Sequence, residues 1–381
     1  MKLAKSRSRM KVNQILIRLM NFIRKDESRR EDTGVNTLGE AQKVELVIPA
    51  GINPPSIGLV KDSDRNPYWV KYERFLKCNN LPYKFYDIHS SRWIERADEF
   101  DVIIWRTNSR PTELDEARKK IFVLEKYMGK LCFPTFNMIM IYEDKAIQHF
   151  LMKLKGLPEI ETYVSNSIED ALTLSKKLGV PLVSKVNPGS GSAGVELVKS
   201  HRTARKLVKK AFSYNGRWTY WSYLRQKDYV LFQKLQRNDG YDLRIIVIGK
   251  YIFGYYRDTP KHEFRASGMG RVRKEDIPVR AMDIARLVAS KLDLPTVAVD
   301  FLYDSIEGKF YIVEMSSFIR ARTADQLHVN GIPGVYIYED GKYRFEPGKF
   351  WIQELSLKIF IEKAYCKSHG GRKHEKGLYC G

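Results

Sequence analysis

Val297-Ala298-Val299-Asp300-Phe301-Leu302 and Tyr311-Ile312-Val313-Glu314 are two β-branched apolar runs, each presenting a carboxylate. Short apolar runs between turn formers predict buried strands, so Asp300 and Glu314 are expected side by side on neighbouring strands. Such a pair can hold Mg²⁺, which takes one or two protein carboxylates and completes its shell with water and substrate phosphates. Acids after apolar strands are common, so the pair gains meaning from its company: Lys185, the loop Gly189-Ser190-Gly191-Ser192-Ala193-Gly194, Arg244 and Arg265. Together these residues describe a nucleotide triphosphate site.

The loop is the most constrained part. Val180-Pro181-Leu182-Val183-Ser184-Lys185-Val186 reads as a buried strand, and the chain turns extended again at Val195-Glu196-Leu197-Val198. Glycines between two strands let backbone N–H groups approach anionic oxygens, and a lysine beside them supplies positive charge. A Walker A loop is excluded, since no Gly-Lys-Ser/Thr follows and a strand comes next. A dinucleotide fingerprint is excluded too, because it must open a helix.

This order of features resembles the ATP-grasp superfamily, in particular its RimK-like carboxylate–amine ligase branch, across residues 55 to 330. The resemblance implies an α/β (α+β) ATP-grasp fold: an N-terminal parallel-sheet α/β domain, then two β-rich subdomains clasping ATP. It assigns Lys145, in Asp144-Lys145, and Lys185 to the ATP phosphates, and Gly189, Ser190, Gly191, Ser192 and Gly194 to a mobile lid. Tyr229-Val230-Leu231-Phe232-Gln233-Lys234-Leu235 resembles the strand whose backbone reads the adenine edge, which places Gln233, Lys234 and Leu235 at the base. Asp242-Leu243-Arg244 resembles the Asp-x-Arg strand whose arginine reaches the reacting phosphate, and Phe264-Arg265 resembles a second such arginine. Asp300 and Glu314 match the metal-binding acids. Two departures stand out: the family pattern Glu-x-Asn reads Glu314-Met315-Ser316 here, leaving Ser316 or water as the further ligand, and Ser267 replaces another asparagine. The implied reaction is amide formation through an acylphosphate, with ATP and Mg²⁺ as cofactors and Mn²⁺ able to substitute. The substrates would be an amine and an acidic small molecule or polymer. A kinase or nucleotide sensor of the same fold is the alternative.

Composition fits a soluble enzyme: 381 residues, 43% hydrophobic, suffice for two or three domains with a sizeable core. Four scattered cysteines suggest reduced thiols, and no apolar run approaches bilayer-spanning length, so the cytoplasm is the expected compartment. The net charge of +21 calls for an acidic partner. Residues 1–30 hold ten basic residues against Asp26 and Glu27. Ile15, Leu16, Leu19, Met20, Phe22 and Ile23 fall mostly on one helical face, giving a basic helix that could lie on the inner face of an anionic membrane or dock on the protein. A nucleic-acid-binding protein would explain the charge but not the ordered acids, and a repeated aromatic platform is missing. Nucleic acid is therefore not the expected partner, and homo-oligomerisation stays open. Cys366, His369, His374 and Cys380 have a spacing that fits a tetrahedral Zn²⁺ site as well as an idle basic tail.

The expected division is a leader and linker at 1–42, an α/β substrate-side domain at 43–136, a lid subdomain at 137–228, a metal-bearing subdomain at 229–345 and a helix with basic tail at 346–381. In the first domain strands at Ser56 to Val60, Tyr83 to Tyr86 and Asp101 to Trp105 alternate with helices, which predicts a parallel sheet. Arg106 and Arg110 follow the last of these strands, and Arg320 and Arg322 follow the metal motif. Guanidinium forks suit carboxylates and phosphates, so these four are candidates for gripping the acidic substrate.

Overall fold

The computed structural model describes residues 35–64, 67–187, 189, 194–219, 221, 223–259 and 271–366. The leader at 1–30, Ser190, Gly191, Ser192, Arg265, His369, His374, Cys380 and the side chain of Cys366 lie outside that description.

In the first layer β1 (Ile57–Leu59), α1 (Tyr68–Cys78), β2 (Tyr83–Phe85), α2 (Trp93–Ala97), β3 (Val102–Ile104), α3 (Pro111–Lys126), β4 (Leu131–Phe133) and α4 (Phe136–Ile141) alternate. The strands pair in parallel in the order β2-β1-β3-β4. Every residue of β1 and β3 is buried, which is why neither shows polar alternation. The strand at Asp101 to Trp105 is thus not the last, because Leu131-Cys132-Phe133 adds a fourth, too short to be read as a run. The chain leaves β1 toward one edge and β3 toward the other, so the loops after β1 and β3 meet at the switch point where such sheets present ligands.

The second layer contains α5 (Lys145–Leu154), β5 (Thr162–Ser165), α6 (Ile168–Leu178), β6 (Leu182–Lys185), β7 (Val195–Val198), α7 (His201–Ala211), the pair β8 (Arg217–Trp218) and β9 (Arg225–Gln226), and β10 (Val230–Lys234). Its antiparallel sheet runs β5-β10-β6-β7. Leu182, Val230 and Phe232 join α6 and α7 in a core of their own. The strand expected to open the C-terminal subdomain is therefore an inner strand of this sheet. Its apolar run Val230-Leu231-Phe232 suits a position flanked by strands on both sides.

The third layer follows as β11 (Tyr241–Ile248), β12 (Tyr251–Asp258), β13 (Val272–Arg273), α8 (Val279–Lys291), β14 (Thr296–Asp304), β15 (Lys309–Ser316), β16 (His328–Val329), β17 (Ile332–Glu339), β18 (Lys342–Pro347) and α9 (Ile352–Phe360). Its sheet is antiparallel in the order β15-β14-β11-β12-β17-β16, with β13 on β12 and β18 on β17. Helix α8 starts at Val279. Pro278 excludes the helical conformation from Ile277 and fits a helix start, where its missing N–H costs nothing. First and third layers share one hydrophobic core. Across it Arg74 of α1 meets Glu354 of α9 at 2.8 Å, and the Lys71 ammonium lies 4.6 Å from the Trp351 ring centre. None of the described helices is long and apolar enough to cross a membrane.

Candidate active site

The antiparallel register puts three charges in one row. Arg244 of β11 lies opposite Asp300 of β14, which lies opposite Glu314 of β15. Directly opposed residues share a sheet face, and alternation adds Asp242, Arg257 and Ser316 to that face. A bulge between Asp300 and Phe301 shifts the register there, a device that re-aims side chains beside functional sites.

Asp300 is the buried centre of the row. Arg244 reaches it with two parallel bonds, Nε to Oδ1 at 2.6 Å and a terminal nitrogen to Oδ2 at 2.7 Å, and Arg257 adds an ion pair at 2.8 Å. Burial opposes ionisation of Asp300, but the guanidinium groups of Arg244 and Arg257 outweigh it and hold the carboxyl well below the usual range. Arg257 also bonds Asp242, whose carboxyl burial pushes up to about 6 against the pull of that same arginine.

A second set of contacts brings the lysines to these acids. The Asp144 side chain caps α5, accepting from the N–H groups of Ala146 and Ile147, and so places Lys145 at the first helical position. Asn187, just past β6, accepts from the Lys145 N–H at 2.9 Å and donates to Asp144 at 2.9 Å. The Tyr229 hydroxyl holds Asn187 in turn, accepting from its N–H and donating to its carbonyl. The Lys145 ammonium then meets Glu314 at 3.1 Å and donates to the Gly189 carbonyl. Gln148 fixes β15 from the other side, bonding both the N–H and the carbonyl of Met315. Burial lowers the Lys185 ammonium to about 8, with Glu314 pulling it back up and Lys145 adding to the fall.

Lys145, Lys185, Gly189, Gln233, Lys234, Leu235, Asp300 and Glu314 all line one cleft of about 810 Å³, open solvent included. Ile160, Val183, Val195, Leu302 and Val313 supply it with an apolar wall. Gly194 sits at φ +81, and a Cβ there would come within 3.0 Å of Val186, so the loop needs glycine at this point.

The remaining site residues differ in what they already bind. Backbone ladders occupy β10 on both sides through Gln233, and the Gln233 side chain donates to Thr162 at 2.9 Å. The ladder ends at Lys234, so Leu235 and Gln236 are the first residues whose backbone lies beyond it. Arg106 is buried, 3.2 Å from Asp64 and over the Tyr68 ring, whereas Arg110 is exposed at the start of α3. Arg320 is exposed and also reaches Asp64, at 3.4 Å, while Arg322 is exposed elsewhere on the same loop. Ser316 donates its hydroxyl to the Phe318 carbonyl at 2.7 Å, which leaves the oxygen lone pairs for a cation.

Sequence reading missed Arg257, Asn187, Tyr229, Gln236 and Glu143. Only strand register pairs Arg257 with Asp242, so no local signal marks it. Glu143 has a rare positive φ of 56, and burial, then Glu314, raises its carboxyl to about 7. Its Oε2 is buried with no hydrogen-bond partner among the described residues, a sign of a cation or water that belongs there. The residues fit Mg²⁺. Asp300 Oδ1 and Glu314 Oε2 keep lone pairs that their partners Arg244 and Lys145 do not use, and Mg²⁺ needs one or two protein carboxylates.

Asp300→Asn would leave the largely buried Arg244 guanidinium without the carboxylate it is paired with and Arg257 with Asp242 alone, so it lowers stability by about 3–5 kcal/mol at pH 7. Because the folded-state pKa of Asp300 is depressed, its contribution is present above the ordinary carboxylate range and lost as pH falls through its own. Urea unfolding at pH 7 and in strong acid checks this, with wild type and variant converging at the lower pH. An equal gap at both would reject the assignment.

A family model described as a RimK-like ATP-grasp domain matches residues 142–330. A search of curated protein sequences gives no match. Similar solved structures include a RimK-domain ATP-grasp protein from Sphaerobacter thermophilus, 15% identical over 70% of this chain and 92% of that one, TM-score 0.49. D-alanine–D-alanine ligase from Bacillus anthracis complexed with ATP is 15% identical over 69% of this chain and 86% of that one, TM-score 0.48. The ADP complex of N5-carboxyaminoimidazole ribonucleotide synthetase is 14% identical over 73% and 72%, TM-score 0.48. The cleft of lysines, arginines and acids thus lies within a stretch, residues 142–330, that is a RimK-like ATP-grasp domain.

Proposed function

We propose that this chain is an ATP-dependent ligase that joins a carboxylate to an amine through an acylphosphate. The observation that carries the reading is the convergence of Lys145, Lys185, Asp300 and Glu314 on one cleft, with Arg244 bound to Asp300 beneath it. Polyphosphate chemistry needs fixed positive charge around developing negative charge more than it needs a nucleophilic side chain. On this reading Lys145 and Lys185 hold the phosphates, and Arg244 leaves Asp300 for the reacting phosphoryl group. Mg²⁺ bound by Asp300 and Glu314 would neutralise phosphate oxygens. The substrate carboxylate oxygen attacks the γ-phosphorus, and the bond to the β-phosphate oxygen breaks to release ADP. The amine nitrogen then attacks the acyl carbon, loses a proton, and phosphate leaves.

Asp64 supports an acidic substrate. It bridges Arg106 and Arg320 with its own carboxylate, at the switch point of the parallel sheet. Two arginines from different layers that converge on one carboxylate form a clamp that a substrate carboxylate would take over by displacing Asp64. A reading with ATP binding but no ligation draws on Ser316, which stands where the family pattern has asparagine. That reading predicts ADP without amide.

Incubation with ATP, Mg²⁺ and pooled acids and amines should release ADP together with a new amide mass. Glu314→Gln should reduce that turnover at least about a hundredfold with little loss of stability, and full turnover by this variant would reject the site. Arg320→Ala should raise the KM for the acid about tenfold or more while leaving the KM for ATP in place; the reverse pattern would remove the clamp. Since Lys185 loses its proton near pH 8, ATP affinity measured by calorimetry should fall as pH rises through about 8 in wild type. Lys185→Arg, which stays charged, should show a flat profile, and a wild-type affinity independent of pH would refute the phosphate role of Lys185.

A further inference from the structure

Helix α7 has a face that the cleft does not use. Arg202, Arg205, Lys206, Lys209 and Lys210 are all exposed on it, and the helix contains no acid. Among the described residues none of these five cations has an ion-pair partner. Arg202 with Lys206, Arg205 with Lys209 and Lys206 with Lys210 are like charges four residues apart, a spacing at which side chains meet and repel. The helix is held despite that repulsion by Ser200, which caps it, and by Ala204, Val208 and Ala211 in the core beneath.

The basic face continues beyond the helix at both ends. Exposed Lys176 lies near the end of α6, next to Ser175, whose hydroxyl is 3.3 Å from His201 at the start of α7. At the other end the Asp228 N–H bonds the Ala211 carbonyl, and Lys227 lies 5.5 Å from the Tyr214 ring centre. Tyr214 is 91% exposed. The nearby acids of α6 are occupied locally, Asp170 by Lys177 at 3.0 Å and Glu169 by Ser167 at 2.8 Å. This surface is also separate from the nucleotide cleft. Leu182, Val230 and Phe232 face the helices, while Val183, Lys185 and Gln233 point the other way into the cleft.

We propose that this surface binds single-stranded nucleic acid, with phosphates along α7 and an unstacked base on Tyr214. Successive turns of α7 present Arg202, then Arg205 and Lys206, then Lys209 and Lys210, a row about 5.4 Å apart per turn that follows a phosphate backbone. An exposed ring at the end of a cationic track, as Tyr214 is, is the stacking platform that single strands use. An anionic bilayer fits less well, because the apolar side of α7 is already buried in the protein and cannot insert. An acidic polypeptide would neutralise the cations but has no base to stack on Tyr214.

The test is fluorescence anisotropy of full-length protein with a labelled oligothymidylate of about twenty nucleotides, over a salt series. Replacing Arg205, Lys206, Lys209 and Lys210 together by Gln should weaken binding about tenfold or more, and should lower the slope of log affinity against log salt by about 0.7 for each phosphate that is no longer neutralised. Tyr214→Ala should weaken binding about fivefold or more with the salt slope unchanged. The basic segment at residues 1–30 is common to all forms and cancels in the comparison. An unchanged thermal midpoint in both variants keeps the loss from being one of folding. Equal oligothymidylate binding by wild type and the four-fold variant would overturn the proposal. So would full affinity in Tyr214→Ala, or a four-fold variant that loses affinity for phosphatidylglycerol vesicles or polyglutamate by a larger factor than for the oligonucleotide.

Discussion

The carboxylate of Asp300, gripped by Arg244 and Arg257, is the contact on which the cleft depends. A buried acid and two buried arginines are each costly alone, and only their mutual neutralisation lets charged groups occupy the floor of an apolar sheet. The contact also spans β11, β12 and β14, so the register of three strands and the geometry of the charges are one constraint. A slip of one residue in any of them would turn these side chains to the opposite face.

Around this centre the protein uses neutral groups to place charged ones. Asn187, Tyr229 and Gln148 carry no charge, yet they tie the start of α5 to the end of β6 and to β15, and so hold Lys145 and Glu314 together. Such bonds tolerate changes in the charge of a bound substrate, whereas ion pairs would compete with it. Arg244 and Lys145 are already paired with the acids they neighbour, so a polyanion entering the cleft exchanges partners with existing pairs and does not meet bare charge. Glu143, strained and with an oxygen unsatisfied, lies within the field of the same groups.

The two outer surfaces follow the same electrostatic logic with different outcomes. At the junction of the first and third layers the arginines Arg106 and Arg320 find an internal carboxylate, Asp64. On α7 five cations find none among the described residues. The excess of basic residues over acidic ones is therefore not spread evenly, and the lid subdomain carries part of it outward, on the face of its sheet away from the cleft.

Much is legible in the residues alone. Short all-apolar strands, the glycine loop between two strands, and Asp300 and Glu314 within β-branched apolar runs are local patterns, and local patterns survive translation into structure because strand periodicity and backbone sterics act over a few residues. The parallel first sheet and the lysines of the cleft are readable in this way. What the sequence could not express is pairing between distant segments: β4 as a fourth strand, β10 as an inner strand of the lid sheet, Arg257 opposite Asp242, and Asp64 between two arginines. Each depends on register or on layers meeting across long stretches of chain, and burial and charge compensation there are settled only when the whole core closes.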